Sequence, residues 1–136
     1  MINKKEVELL VDIALEARMR AYVPYSGFHV GAAVMTASGK VYAGCNIENA
    51  SYTPTICAER TAIFKAISEG ETVFSMLAIA SDSDKNTFPC GVCRQVLAEF
   101  CKNDMPIACA NKTGEYQLFS LQQLLPQAFT KEDLNK

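Results

Sequence analysis

Residues Val73 to Ser81 form a nearly continuous apolar run, the pattern of a strand buried at the centre of a sheet. Helical and extended patterns alternate around it. Asn3 and Glu6 make a variant capping box, after which Val7, Leu10, Ile13, Ala14 and Ala17 repeat at helical spacing. Pro24 ends that helix near Tyr22, because the residue before a proline avoids the α region. Val30–Ala37 and Lys40–Ile47 read as strands joined by a short turn at Ser38-Gly39. A second helix is predicted from Pro54 to Glu69, capped by Thr53 and stopped by Gly70. A third is predicted from Pro89 to about Cys101, followed by short strands over Pro106–Ala110 and Tyr116–Phe119. Leu121–Phe129 reads as a closing helix, and Thr130–Lys136 as a loose tail. This interleaving favours one sheet covered by helices, a layered α/β sandwich, in a single domain over residues 1–136.

The net charge is −2 and Lys and Arg are not clustered, so a phosphate-tracking surface is not expected. No apolar run approaches the roughly 18–20 residues of a membrane span. Met1 to Lys5 lead into an amphipathic pattern, so no export signal is expected and the predicted compartment is the cytoplasm. In that reducing setting the six cysteines are better read as ligands or small apolar residues than as bridges. With His29 the only histidine, a zinc site in this chain must be built mainly of thiolates.

Pro89-Cys90-Gly91-Val92-Cys93 opens the third predicted helix. Cysteines three apart share a helical face and can converge on one ion. A helix N-terminus also favours thiolate over thiol. Taken alone, the pair could equally be a redox couple or two buried helix cysteines. Cys57-Ala58-Glu59 lies at the start of the second predicted helix. Residues two apart diverge in mid-helix, but at a helix end Cys57 can ligate while Glu59 reaches the open side of the metal. Three protein ligands and a nearby carboxylate make up a hydrolytic zinc site. Three thiolates would leave Zn2+ over-negative, and Arg60, three residues after Cys57, can share its face and offset that charge. A surface arginine is the alternative. Cys45, Cys101 and Cys109 fall on apolar or strand positions and read as buried small residues, although any of them could close a purely structural tetrahedron.

Together these motifs resemble the zinc-dependent cytidine deaminases, in their small three-cysteine form. The similarity extends through Tyr25-Ser26-Gly27-Phe28-His29-Val30-Gly31-Ala32-Ala33, Gly44 to Tyr52, Arg94-Gln95 and Leu124 to Phe129. The resemblance implies a three-layer α/β/α sandwich with a mixed, about five-stranded sheet. It implies one zinc ion per subunit on Cys57, Cys90 and Cys93, with Glu59 as the proton carrier. Cytidine and deoxycytidine would be hydrolysed to uridine and deoxyuridine with release of ammonia, in pyrimidine salvage. It also implies that Asn46 and Glu48 bind the ribose, that Phe28 packs on the base and that the Ala58 backbone contacts it. Ala50, Tyr52 and Phe129 would reach the site of a neighbouring subunit in a homotetramer, and Arg60, helped by Gln95, would stand behind the metal. On sequence alone Phe28 and Phe129 could instead be core aromatics. A nucleoside antibiotic, free cytosine or a nucleic-acid base are alternative substrates, and a structural zinc module or a thiol redox protein are alternative functions.

Overall fold

The structure, a computed structural model, describes residues 2–134. Five strands, β1 (Val30–Thr36), β2 (Val41–Cys45), β3 (Phe74–Ser81), β4 (Pro106–Ala110) and β5 (Tyr116–Ser120), form one sheet in the order β2-β1-β3-β4-β5. β3 and β4 pair in parallel and the other neighbours antiparallel, so the sheet is mixed. Helix α1 (Lys4–Ala17) covers one face, while α2 (Ala58–Ser68), α3 (Gly91–Phe100) and the short α4 (Leu121–Leu124) lie on the other. This is the three-layer α/β/α sandwich.

Strand alternation sorts the core. Ala33, Met35, Met76, Ala78, Ala80, Ala108 and Ala110 face α1, whereas Ala32, Val34, Leu77, Ile79, Ile107 and Cys109 face the other layer. The α1 face is mostly alanine, so that helix lies close to the sheet. A Cβ on Gly31 would come within 1.9 Å of the Ala14 carbonyl oxygen. On the opposite face a Cβ on Gly44 would stand 2.5 Å from Ala62 N and 2.6 Å from Ala58 O. The first turn of α2 therefore rests directly on β2, which positions the residues at its start.

Several boundaries differ from those predicted. α1 ends at Ala17 and passes into a 3-10 turn over Arg18–Arg20. α2 begins at Ala58 rather than Pro54. Ile56 and Ile47 exchange backbone hydrogen bonds of 3.0 Å in each direction, and that bridge holds the chain extended up to Cys57. α3 begins at Gly91, with Cys90 as its N-cap. The closing helix stops at Leu124, five residues early: Leu125 precedes Pro126 and takes φ −140. The tail is not loose over its described part, since Lys131–Leu134 form a 3-10 turn held by Thr130 N–H donating to Asp133 Oδ2 at 2.8 Å. Residues 135 and 136 of the predicted tail lie outside the described residues.

Candidate metal centre and active site

Two helix N-termini meet over the sheet. Cys57 is the N-cap of α2 and Cys90 that of α3, both in extended backbone, so their sulfurs stand ahead of the helices. Cys93, inside the first turn of α3, is buried and donates its backbone N–H to Cys90 Sγ at 3.5 Å. The three sulfurs lie within 4.8 Å of one another, with Cys57 Sγ and Cys90 Sγ 3.5 Å apart. Cys45, Cys101 and Cys109 lie outside this cluster. Cys109 is buried in the core and Cys101 packs against it, and burial pushes both thiols up to about 12.

The donor set suits zinc. A tetrahedral ion bonded to sulfur at ~2.3 Å places its ligand sulfurs about 3.8 Å apart, a spacing that three sulfurs within 4.8 Å can meet. Arg60 Nη2 donates to Cys57 Sγ at 3.4 Å, and Arg60 Nε is buried without a hydrogen-bond partner among the described residues. A guanidinium with a spare buried donor beside thiols fits three thiolates, which would give a Zn2+ centre a net charge of −1. Hydrogen bonding from the Cys93 thiol, helped by Arg60 and Cys90, pulls the Cys57 thiol down to about 5 against the effect of burial. The same bond pushes the Cys93 thiol up. Burial disfavours charge on Arg60, but its hydrogen bonds to Cys57 and Cys93 outweigh this and keep the guanidinium protonated.

Glu59, in the first turn of α2, is only 3% exposed. Burial pushes its carboxyl up to about 7, with its own backbone N–H acting in the opposite direction and the Cys57 charge adding to the rise. A cavity of about 250 Å³ opens in front of it, lined by Phe28, Asn46, Glu48, Cys57, Ala58, Glu59 and Cys90. A larger hollow of about 620 Å³ beneath the C-terminal segment contains none of these residues.

Asn46 and Glu48 follow β2, one on each side of the bridged Ile47. Asn46 Oδ1 accepts from Val30 N–H at 3.0 Å and Nδ2 donates to the Phe28 carbonyl at 2.9 Å. The side chain thus ties the start of β1 and keeps one lone pair and one N–H free. Glu48 Oε1 accepts from the N–H groups of Tyr25 and Ser26 at 3.0 and 3.1 Å, and Oε2 accepts from the Ser26 hydroxyl. The Ser26 hydroxyl and then the backbone donors hold this carboxyl below its usual range, although burial opposes them. Phe28 is half-exposed at the rim. His29 faces away and bonds Asp82 Oδ2 at 2.8 Å through Nδ1.

Ala50, Tyr52 and Phe129 do not line this cavity. Tyr52 is 72% exposed at φ +64, a left-handed conformation that is costly for an aromatic residue, and its ring meets Tyr25 edge-on at 6.3 Å. Phe129 is 62% exposed. Gln95 departs from its expected place: its Nε2 donates to the Phe129 carbonyl at 2.8 Å rather than to Arg60. Sequence reasoning missed Thr55, Ile56, Thr87 and Phe88, which also line the cavity. They directly precede Cys57 and Pro89-Cys90, and that proximity was the available signal.

A family model described as the cytidine and deoxycytidylate deaminase zinc-binding region matches residues 4–109. The chain belongs to this family. It is 50% identical over 130 residues to a cytidine deaminase of Sporosarcina psychrophila, covering 96% of each chain. It is 49% identical over 128 residues to one of Halalkalibacterium halodurans, covering 94% of this chain and 97% of that one. The crystal structure of cytidine deaminase from Burkholderia pseudomallei superposes with a TM-score of 0.87 at 42% identity, over 94% of this chain and 100% of that one. The zinc-binding family and the three-sulfur cluster agree on one zinc ion per subunit.

Proposed function

We propose that the chain hydrolyses cytidine and deoxycytidine to uridine and deoxyuridine with release of ammonia. The observation that carries this reading is a carboxyl, Glu59, buried beside three converged sulfurs at the floor of a cavity that also holds Asn46 and Glu48. One zinc ion held by Cys57, Cys90 and Cys93 supplies the Lewis acid that makes water reactive near neutral pH. Glu59 accepts a proton from the attacking water on a carboxylate oxygen and delivers it to N3 of the base. The water oxygen adds to C4; Glu59 then takes the remaining proton from the new C4 hydroxyl and passes it to the amine, so that the C4–N4 bond breaks, the C4 carbonyl forms and ammonia leaves. Its burial keeps bulk water from competing for that proton.

The Ala58 backbone contacts the base and Phe28 packs against it, while Asn46 and Glu48 take the sugar hydroxyls with their free donor and acceptor sites. The cavity lining contains Glu48 but no Lys or Arg. That charge balance favours a neutral nucleoside over a phosphorylated one. Among the described residues, no helix is long and apolar enough to cross a membrane. The whole chain, 1–136, acts as one catalytic domain in the cytoplasm, where reducing conditions keep its thiols free, and serves pyrimidine salvage. We assign it to a homotetramer in which Ala50, Tyr52 and Phe129 reach a neighbouring subunit's site. The exposed Phe64, Val92 and Phe100 on the outer faces of α2 and α3 support this, as an apolar surface suited to another subunit.

The test is purified protein of measured zinc content offered cytidine, deoxycytidine, cytosine, a cytosine-containing antibiotic and single-stranded DNA, with ammonia as the readout. Ammonia from the two nucleosides is expected. Glu59→Gln should retain zinc and lose turnover by about 10²–10⁴-fold or more; near-normal turnover in that variant would remove Glu59 from its role.

A further inference from the structure

Arg94 and Gln95 follow Cys93 on α3. Arg94 Nε donates to the Pro89 carbonyl at 2.7 Å and Nη1 to the Leu124 carbonyl at 2.6 Å. Gln95 Nε2 reaches the Phe129 carbonyl. α4 ends at Leu124, so residues 125–129 form an arm without a helix of its own, and Gln127 within it sits at φ +54. The helix that carries Cys90 and Cys93 thus holds the segment just ahead of the arm and its far end. Phe129 at that far end is mostly exposed, so packing within this chain does little to fix its ring.

We infer that Gln95 is a positioning residue: with Arg94 it fastens the 125–129 arm to the metal-bearing helix, and so presents Phe129 to a second copy of the chain in fixed register with the sulfur cluster. This rests on the assignment of Phe129 to a neighbouring subunit's site. The physical reason is pre-organisation. An arm already fixed before substrate arrives has less freedom to lose on binding, and Phe129 touches no bond that is made or broken. Losing the fastening therefore weakens substrate binding and leaves the chemical step alone. Were Gln95 instead an orienter of Arg60, its loss would act on the metal and on turnover.

The test uses Gln95→Met, close in size but without the donor, in the full zinc-loaded protein. Zinc content, steady-state kinetics on cytidine and amide hydrogen exchange across residues 125–129 are measured. The expected result is unchanged zinc, faster exchange in the arm, kcat within about twofold and KM raised roughly 2- to 10-fold, the range for one net hydrogen bond. In a Phe129→Ala background the same substitution should add little to KM. Lost zinc or reduced kcat at constant KM would overturn the inference, as would unaltered exchange and KM. If Phe129→Ala raises KM but Gln95→Met does not, only the fastening fails. If Phe129→Ala leaves KM unchanged, the cross-subunit assignment fails and takes this inference with it.

Discussion

Cys57 and Cys90 occupy equivalent places, each the last extended residue before a helix. At Cys57 the helix dipole and unpaired N–H groups favour the thiolate. Hydrogen bonding from Cys93 pulls the Cys57 thiol down to about 5, and the same bond pushes the Cys93 thiol up. Zinc binds deprotonated sulfur, so metal uptake at neutral pH must expel protons and weaken as pH falls. Calorimetric titration of the metal-free protein with zinc, in buffers of differing ionisation heat, should show proton release. Cys57→Ala should bind zinc far more weakly. The residue types of this site were legible in the sequence, because a thiol, a carboxyl and a guanidinium sit within four consecutive positions, Cys57 to Arg60. The partner of Gln95 was not legible, because Phe129 lies 34 residues away along the chain.

At the scale of elements, the site depends on where α2 starts and how closely it lies on β2. Gly44 sets the second of these, since a Cβ there would meet the Ala58 carbonyl and the Ala62 nitrogen, both backbone atoms that cannot swing aside. Gly44→Ala should destabilise the fold by about 1–3 kcal/mol and push the first turn of α2 outward. A lower Tm together with reduced zinc retention would be the signature. Gly31→Ala offers the comparison: the clash with the Ala14 carbonyl oxygen, at 1.9 Å, is more severe, but it lies on the α1 face away from the sulfurs. It should lower Tm and leave zinc retention in the folded fraction unchanged. Helices and strands were legible from periodicity. The start of α2 was not, because Thr53 and Pro54 carry good local helix-start signals, yet the Ile47–Ile56 bridge prevails.

For the whole molecule, the exposed aromatics carry the consequence. Tyr52 holds a strained backbone and Phe129 ends a fastened arm, yet neither lines the cavity of its own chain. If sites are shared between subunits, activity should be recoverable from two defective chains. Mixing Glu59→Gln, which keeps Phe129, with Phe129→Ala, which keeps Glu59, should yield hybrid sites with normal KM. Unfolding and refolding the two together allows exchange, and KM of the mixture is the measurement. Simple addition of the separate activities would speak for self-contained sites. Sedimentation of the wild-type protein should show a tetramer.

The sequence by itself determined the chemistry and the class of fold. Ligand spacing, the neighbouring carboxylate and the alternation of apolar residues are short-range properties, set by side-chain type and by the 3.6 and 2.0 repeats of helix and strand. Only the tertiary structure decided which local signals prevailed. It ended the Pro54 helix start in favour of a strand bridge. It also turned Gln95 from the metal toward the C-terminal arm. The bridge and the Gln95 bond both set a local preference against a hydrogen-bond partner elsewhere in the chain, and that outcome exists only once folding has brought the partners together.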